Sequence, residues 1–310
     1  MTQRALVLGC GGTLGFAWTT AALAAVEAEL GWDAREADVL VGTSAGAEMA
    51  AFLGSGIGVG EVMAALLGES ADERITHHLA QHPDMLPPLP APVLPGLGLT
   101  AAALRGRADL LAGLAGVLPR GRGDARWLRD LGTALANADG WVDHPKTWLI
   151  GADIRTGERV SFGNSRRTQL GAAIAASWAI PGWFPPVAIG GRQYVDGGTV
   201  SPTSADLVLL AGVEEVVLIP PMSTSGGARG RGLARVERLA RRAMTKRVDA
   251  EVKQLRAAGL RVIRIEPGQA ELDVMGPNFM DLRRRPDVLR AGRALTPARV
   301  RVAIEQGATP

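Results

Sequence analysis

Two strand-turn-helix units placed back to back near the amino terminus predict an α/β fold with a largely parallel sheet, because strands running the same way need helical crossovers between them. The second half of the chain returns to short apolar runs separated by turns and helical stretches, which supplies further strands for the same sheet. With 310 residues, 47% of them apolar, the chain is long enough to bury a sizeable core.

The elements follow in order. "RALVL" (4 to 8) is a continuous apolar run that reads as a first strand, and the glycines after it form a turn. "FAWTTAALAAVEAEL" (16 to 30) is long, alanine-rich and helical. "DVLVG" (38 to 42) is a second strand, and a helix begins near Ala45. Both turns then lie at the carboxyl ends of their strands, the edge where open α/β sheets place their sites.

Residues 58 to 145 show weak helical patterns interrupted by "HPDMLPPLPAPVLPGLGLT" (82 to 100), which is too rich in proline for a helix interior or a central strand. This region reads as a cap or lid, or else as a linker loop. Its apolar residues Met85, Leu86, Leu89, Val93, Leu94, Leu97 and Leu99 favour the cap. Regular structure resumes with "KTWLIGADI" and "ERVSF", which form a hairpin around "RTG". A helix over 168 to 177, the strand "RQYVD" (192 to 196) and the strand "EVVLIPP" (215 to 221) come next. A long amphipathic helix spans 231 to 257, with Leu233, Val236, Leu239, Met244, Val248, Val252 and Leu255 as its expected core stripe. Its arginines Arg235, Arg238, Arg241, Arg242 and Arg247 are expected to face solvent and are a candidate contact for anionic lipid headgroups. The strand "RVIRIEP" (261 to 267) precedes a polar helical stretch at the carboxyl end.

Composition excludes several classes. The formal net charge is only +3, and no basic motif interleaved with aromatics occurs, so nucleic acid is not an expected partner. A single cysteine, Cys10, rules out an intrachain disulfide framework, and four histidines without a Cys/His cluster leave no structural zinc site. No metal or other cofactor is expected. The amino-terminal run ends in glycines rather than in a cleavage site, and no apolar stretch is long enough to span a bilayer. The expectation is a cytoplasmic protein whose membrane contact, if any, is peripheral.

Gly42-Thr43-Ser44-Ala45-Gly46 fits G-x-S-x-G, in which small neighbours let the chain turn sharply from strand to helix and leave a serine oxygen exposed. Ser44 is a candidate nucleophile on this reading, and a helix N-cap on the simpler one. A histidine base fits poorly: the last histidine is His144, and His77, His78 and His82 lie in the irregular region. A carboxylate can serve if burial raises its pKa, and Asp196, at the end of a strand and followed by Gly197 and Gly198, is the best placed. In "GCGGTLG" the amides of Gly11 and Gly12 can point at an oxygen beyond the strand end, as an oxyanion hole requires. The rival reading of Gly9, Gly11 and Gly15 is a dinucleotide fingerprint, but the second strand lacks the acidic residue that would hold a ribose.

"GCGGTLG", "GTSAG" and "DGG", in that order, together with "WLIGADIRTGERVSF" and "ASWAIPGWFPPVAIGGRQYVDGG", resemble the patatin-like phospholipases over roughly 4 to 57 and 146 to 222. The resemblance implies a single domain over 1 to 310, with a three-layer fold of helices, sheet and helices and a variable cap at 58 to 145. It implies a catalytic dyad of Ser44 and Asp196, an oxyanion hole at Gly11 and Gly12, and metal-free hydrolysis of lipid acyl esters through an acyl-enzyme. An acyltransferase would use the same residues, and a non-catalytic lipid-binding protein could keep the same shell. The partners it implies are a lipid ester and, peripherally, a membrane or micelle surface. Two positions depart from the family pattern: Cys10 replaces a usual glycine, and Leu14 a usual lysine or arginine that would meet a phosphate. "PGWFPP" (181 to 186) is read either as support for an acyl-pocket wall or as a rigid turn in the core.

Overall fold

The computed structural model describes residues 2–81, 83, 85–106 and 110–307. Its first units are β1 (Arg4–Leu8), α1 (Gly12–Leu30), β2 (Val39–Thr43) and α2 (Ala45–Gly54). Helix α1 begins at Gly12, four residues before the alanine-rich run, so the glycine turn is itself its amino terminus. No side chain caps that end, which leaves its first amides open. Gly31, in the left-handed region at φ 57°, ends the helix and returns its amide to Glu27.

Among the described residues, the stretch read as cap or linker holds the short helices α3 (Val59–Leu67), α4 (Glu73–Ala80), α5 (Leu97–Leu104), α6 (Leu110–Gly116) and α7 (Arg126–Leu135). The expected hairpin follows as β3 (Thr147–Asp153) and β4 (Arg159–Phe162). Then come α8 (Leu170–Ser177), β5 (Val187–Ile189), β6 (Arg192–Asp196), β7 (Glu215–Ile219), α9 (Leu233–Ala257), β8 (Arg261–Arg264), α10 (Gln269–Met275) and α11 (Arg285–Gly307).

The strands form one sheet in the order β5-β6-β3-β2-β1-β7-β8, with β4 also paired to β3. The run from β3 to β8 is parallel, whereas β4 and β6 meet β3 antiparallel. Both faces are covered. Leu6, Leu8, Leu40, Leu149, Val217, Ile219 and Ile263 pack into the larger core with α1, α2, α8 and α11. Their neighbours Ala5, Val7, Val39, Val41, Ile150, Val216, Leu218 and Val262 pack with α9 on the opposite side. A strand buried on both faces needs apolar residues at every position, which is why these strands read as unbroken apolar runs. The result is an α/β fold in three layers.

The long helix α9 departs from the expected pattern. Only Val248, Val252 and Leu255 of the stripe are buried, whereas Leu233, Val236 and Leu239 are 77%, 67% and 60% exposed. Conversely Arg238 and Arg241, expected on a solvated face, are buried. Glu237 explains this, because its carboxylate pairs with both guanidinium groups and makes their burial tolerable. A second carboxylate on the helix, Glu251, is buried among acceptor-hungry groups. It accepts hydrogen bonds from the Ser201 and Thr203 hydroxyls, each at 2.5 Å, from the Ala205 amide at 2.9 Å, and from Arg247 at 3.2 Å. These bonds anchor the segment that follows Asp196.

Glu251→Ala strands several buried donors at once and should lower stability by on the order of 3 kcal/mol in urea denaturation. Val236→Ala, at an exposed position of the same helix, should change it by less than about 0.5 kcal/mol.

Candidate active site

Strand register brings Ser44 and Asp196 together on one side of β3. Thr43 of β2 pairs with Ile150 of β3, so Ser44 stands level with Gly151. Strand β4 takes the other side of β3, pairing with Ile150 and Gly151, so Asp196 of β6, which also pairs with Gly151, lies on the β2 side. Ser44 and Asp196 thus meet beside Gly151, where β2 ends and β6 takes its place along the same side of β3. Ser44 leaves the strand at φ 55°, ψ −120°, a left-handed φ that an L residue rarely adopts and that swings its side chain out of the sheet. The Ser44 hydroxyl lies close enough to the Asp196 carboxyl to favour its ionised form. It does not cap α2, so the N-cap reading fails.

The small residues around Ser44 have a steric reason. A Cβ on Gly42 would lie 2.3 Å from the Gly46 carbonyl oxygen, and one on Gly46 would lie 2.1 Å from the Leu8 carbonyl oxygen. The first turn of α2 therefore crosses directly over the ends of β1 and β2. The sharp turn also deprives the Ser44 amide of a ladder partner, and a buried hydroxyl replaces it. Ser177, the last residue of α8, accepts from the Ser44 amide at 2.8 Å and donates to the Ile150 carbonyl at 2.6 Å. Sequence reasoning did not assign Ser177 a role. Its only signal was a polar residue at the end of the otherwise apolar "LGAAIAAS".

Asp196 is buried, and one carboxylate oxygen accepts from the Gly198 amide at 2.7 Å. Burial raises its pKa from 3.8 to about 7, and the Ser44 hydroxyl and the Gly198 amide oppose the rise. The two glycines after it permit close approach: a Cβ on Gly197 would meet the Ile150 carbonyl at 2.7 Å, and one on Gly198 would meet Asp196 and Cys10 at 3.0 Å.

The glycine turn after β1 completes the site. The Gly9 and Cys10 amides are used internally, by Ile219 and Pro202, whereas those of Gly11 and Gly12 donate to no protein acceptor among the described residues. Gly12 stands at φ 59° with no room for a Cβ, which would lie 2.4 Å from the Phe279 ring. Cys10 is buried against Gly198; burial, and secondarily the Asp196 charge, push its thiol pKa up, so it is a poor nucleophile. Leu14 is core. A cation reaches this turn instead from α9. Buried Arg241, whose charge acts on Cys10, donates to the Pro221 carbonyl at 2.6 Å, and Pro221 packs under Gly11 and Gly15.

Ser44, Asp196, Gly11 and Gly12 line one cavity of about 230 Å³. Apart from Thr199, its other walls are apolar and come from distant segments: Leu118 from the region after α6, Ile180 and Pro181, Met222, Met244 of α9, and Phe279. "PGWFPP" contributes only Pro181; Phe184 is core, and Trp183 acts from behind through its ring contact with Phe279. The described histidines are elsewhere. His78 is buried 2.6 Å from Glu48, His144 binds the Ala37 carbonyl at 2.6 Å, and His77 is paired with Gln81. His82 lies outside the described residues. Among the described residues no group of three His, Cys, Asp or Glu is placed to hold a metal ion, and no helix is long and apolar enough to cross a membrane.

A glycine turn, a serine turn and an aspartate brought to one sheet edge are accompanied by a family-level match. A family model described as patatin-like phospholipase matches residues 6–209. No curated protein sequence matches the chain. Among solved structures, VipD from Legionella pneumophila is similar at 14% sequence identity and a TM-score of 0.42, over 97% of this chain and 67% of that one. With about two thirds of its length covered by the family model, the chain belongs to the patatin-like phospholipase family.

Proposed function

We propose that the protein is a serine acyl hydrolase of lipid carboxylic esters, of the phospholipase A or lysophospholipase type, with Ser44 as nucleophile and Asp196 as its base. The observation that carries this reading is that the Ser44 hydroxyl and the buried Asp196 carboxyl line one largely apolar cavity together with Gly11 and Gly12. In this reading the chain is a single domain, and residues 58–145 are a cap whose Ala115 and Leu118 help to enclose the acyl chain.

The ionised Asp196 takes the Ser44 proton as Oγ bonds to the ester carbonyl carbon. The carbonyl oxygen becomes an oxyanion that accepts from the Gly11 and Gly12 amides, supported by the partial positive charge at the start of α1. Collapse of this intermediate expels the lipid alkoxide, which takes the proton back from Asp196, and leaves an acyl-enzyme on Ser44. Water, deprotonated by Asp196, then releases the fatty acid and restores the serine. An alcohol in place of that water would give acyl transfer by the same steps.

A fluorophosphonate probe should label the protein and fail to label Ser44→Ala; an unlabelled native protein would favour a lipid-binding shell without turnover. Asp196→Asn should lower kcat/KM on a soluble ester by about 10²- to 10⁴-fold, and full activity in that variant would remove Asp196 as the base.

Because the base must be ionised, kcat/KM should fall as pH drops below about 7, the raised pKa of Asp196. The same shift has a stability sign. The folded state holds the Asp196 proton more tightly than the unfolded chain, so the native protein should lose stability relative to Asp196→Asn as pH rises from about 4 to about 7. A pH series of urea melts measures this, and parallel curves for the two proteins would contradict the burial of Asp196.

Ser177→Ala removes the hydroxyl that joins the Ser44 amide to Ile150. It should reduce kcat at least about tenfold with little change in KM, and cost about 1 to 3 kcal/mol of stability; an unchanged kcat would show that the turn holds its shape without it.

A further inference from the structure

Helix α9 carries the cavity wall out into open solvent. Its Ala240 and Met244 line the cavity, and Leu233 and Val236, earlier on the same side of the helix, are exposed. Leu239, also exposed, widens this stripe. Another cavity residue, Leu118, is itself exposed and is flanked in sequence by exposed Leu114 and Val117. Large apolar side chains therefore stand in water on two of the elements that form the cavity.

The same turns of α9 concentrate positive charge. Arg229, Arg231, Arg235, Arg238 and Arg242 line a groove of about 780 Å³ in which Asp273 is the single carboxylate. Glu237 pairs with Arg238 and Arg241 and offsets one of their two charges, but Arg229, Arg231, Arg235 and Arg242 make no ion pair among the described residues. The amino terminus of the helix adds to this field, since no side chain caps it and its first turn holds no acidic residue. A net charge of only +3 for the whole chain makes this a local feature.

We propose that the amino-terminal half of α9, with residues 228–231 before it, is the docking element for an anionic lipid bilayer. Leu233, Val236 and Leu239 enter between headgroups while Arg229, Arg231, Arg235 and Arg242 meet lipid phosphates, and the bilayer is thereby brought to the cavity. This rests on the reading that the cavity takes lipid esters. Charge complementarity favours a bilayer over a second copy of the chain, because a symmetric dimer through this surface would set one group of unpaired arginines against another. Continuity of the stripe from Val236 to Ala240 and Met244 gives an acyl chain an unbroken apolar path from the surface to Ser44.

Cosedimentation of the Ser44→Ala protein with phosphatidylcholine vesicles, with and without phosphatidylglycerol, tests the proposal without hydrolysis of the vesicles. Binding to the anionic vesicles should be at least about tenfold tighter and should weaken as salt is raised. The combination Arg231→Glu, Arg235→Glu and Arg242→Glu should abolish that preference, and Leu233→Ser with Val236→Ser should weaken binding to both vesicles. With Ser44 restored, both variants should melt as the parent does and hydrolyse a soluble monomeric ester within about twofold of it. Equal binding to the two vesicles, parental binding by the variants, or self-association of the protein that these substitutions abolish would overturn the proposal. Charge-dependent vesicle binding by a protein that turns over no ester would refute the proposed chemistry and leave the docking element standing.

Discussion

The rest of the site depends on the passage of α2 across the ends of β1 and β2. The Gly46 backbone lies so close to the Leu8 carbonyl that no side chain fits between them, and this contact forces the chain at Ser44 into a left-handed φ. That conformation costs an L residue on the order of 1–3 kcal/mol and persists only where the surroundings over-determine it. Here the surroundings are specific: Gly42 beneath the turn, the Ser177 hydroxyl wedged between the Ser44 amide and β3, and the helix that leaves immediately afterwards. One steric constraint thus lifts a hydroxyl out of the sheet, and strand pairing places a carboxyl beside it, where β6 continues the side of β3 that β2 leaves.

The proposed chemistry uses a base that most environments would spoil. A carboxylate in water is too weakly basic to take a serine proton, and burial makes Asp196 more basic by denying its charge solvent. The structure limits how far this goes. The Gly198 amide and the Ser44 hydroxyl stabilise the ionised form, which keeps the group near neutrality instead of permanently protonated. The segment beyond Asp196 is held by Glu251, so a buried charge on α9 contributes to the placement of one on β6. Such arrangements stabilise function at the expense of the fold, as sites with deliberately uncomfortable charges do.

Much of this was legible in the sequence, for identifiable reasons. Strands buried on both faces announce themselves as unbroken apolar runs, which made β1, β2, β3 and β7 readable. The glycine turn, Ser44 and Asp196 were readable because tight backbone approach restricts composition over several residues in a row. The α9 stripe was misread for the opposite reason: helical periodicity shows which residues share a face but not whether anything covers it. Nor could periodicity show that Glu237 would draw Arg238 and Arg241 into the interior. Ser177 and the cavity walls at Leu118, Met222, Met244 and Phe279 were invisible because each acts through contacts with distant chain segments. The start of α1 was placed too late because glycine is a poor helix former, and here it opens one where open amides are wanted.

Part of the cavity's wall and the residues proposed to react belong to different stretches of chain. Ser44, Asp196 and the glycine turn all lie within the stretch that matches the family, whereas Met222, Ala240, Met244 and Phe279 lie beyond it. A substitution at these four wall positions can resize the cavity without touching Ser44, Asp196 or the glycine turn. If the proposed chemistry holds, selectivity is accordingly open to engineering at positions that leave the proposed nucleophile and base in place.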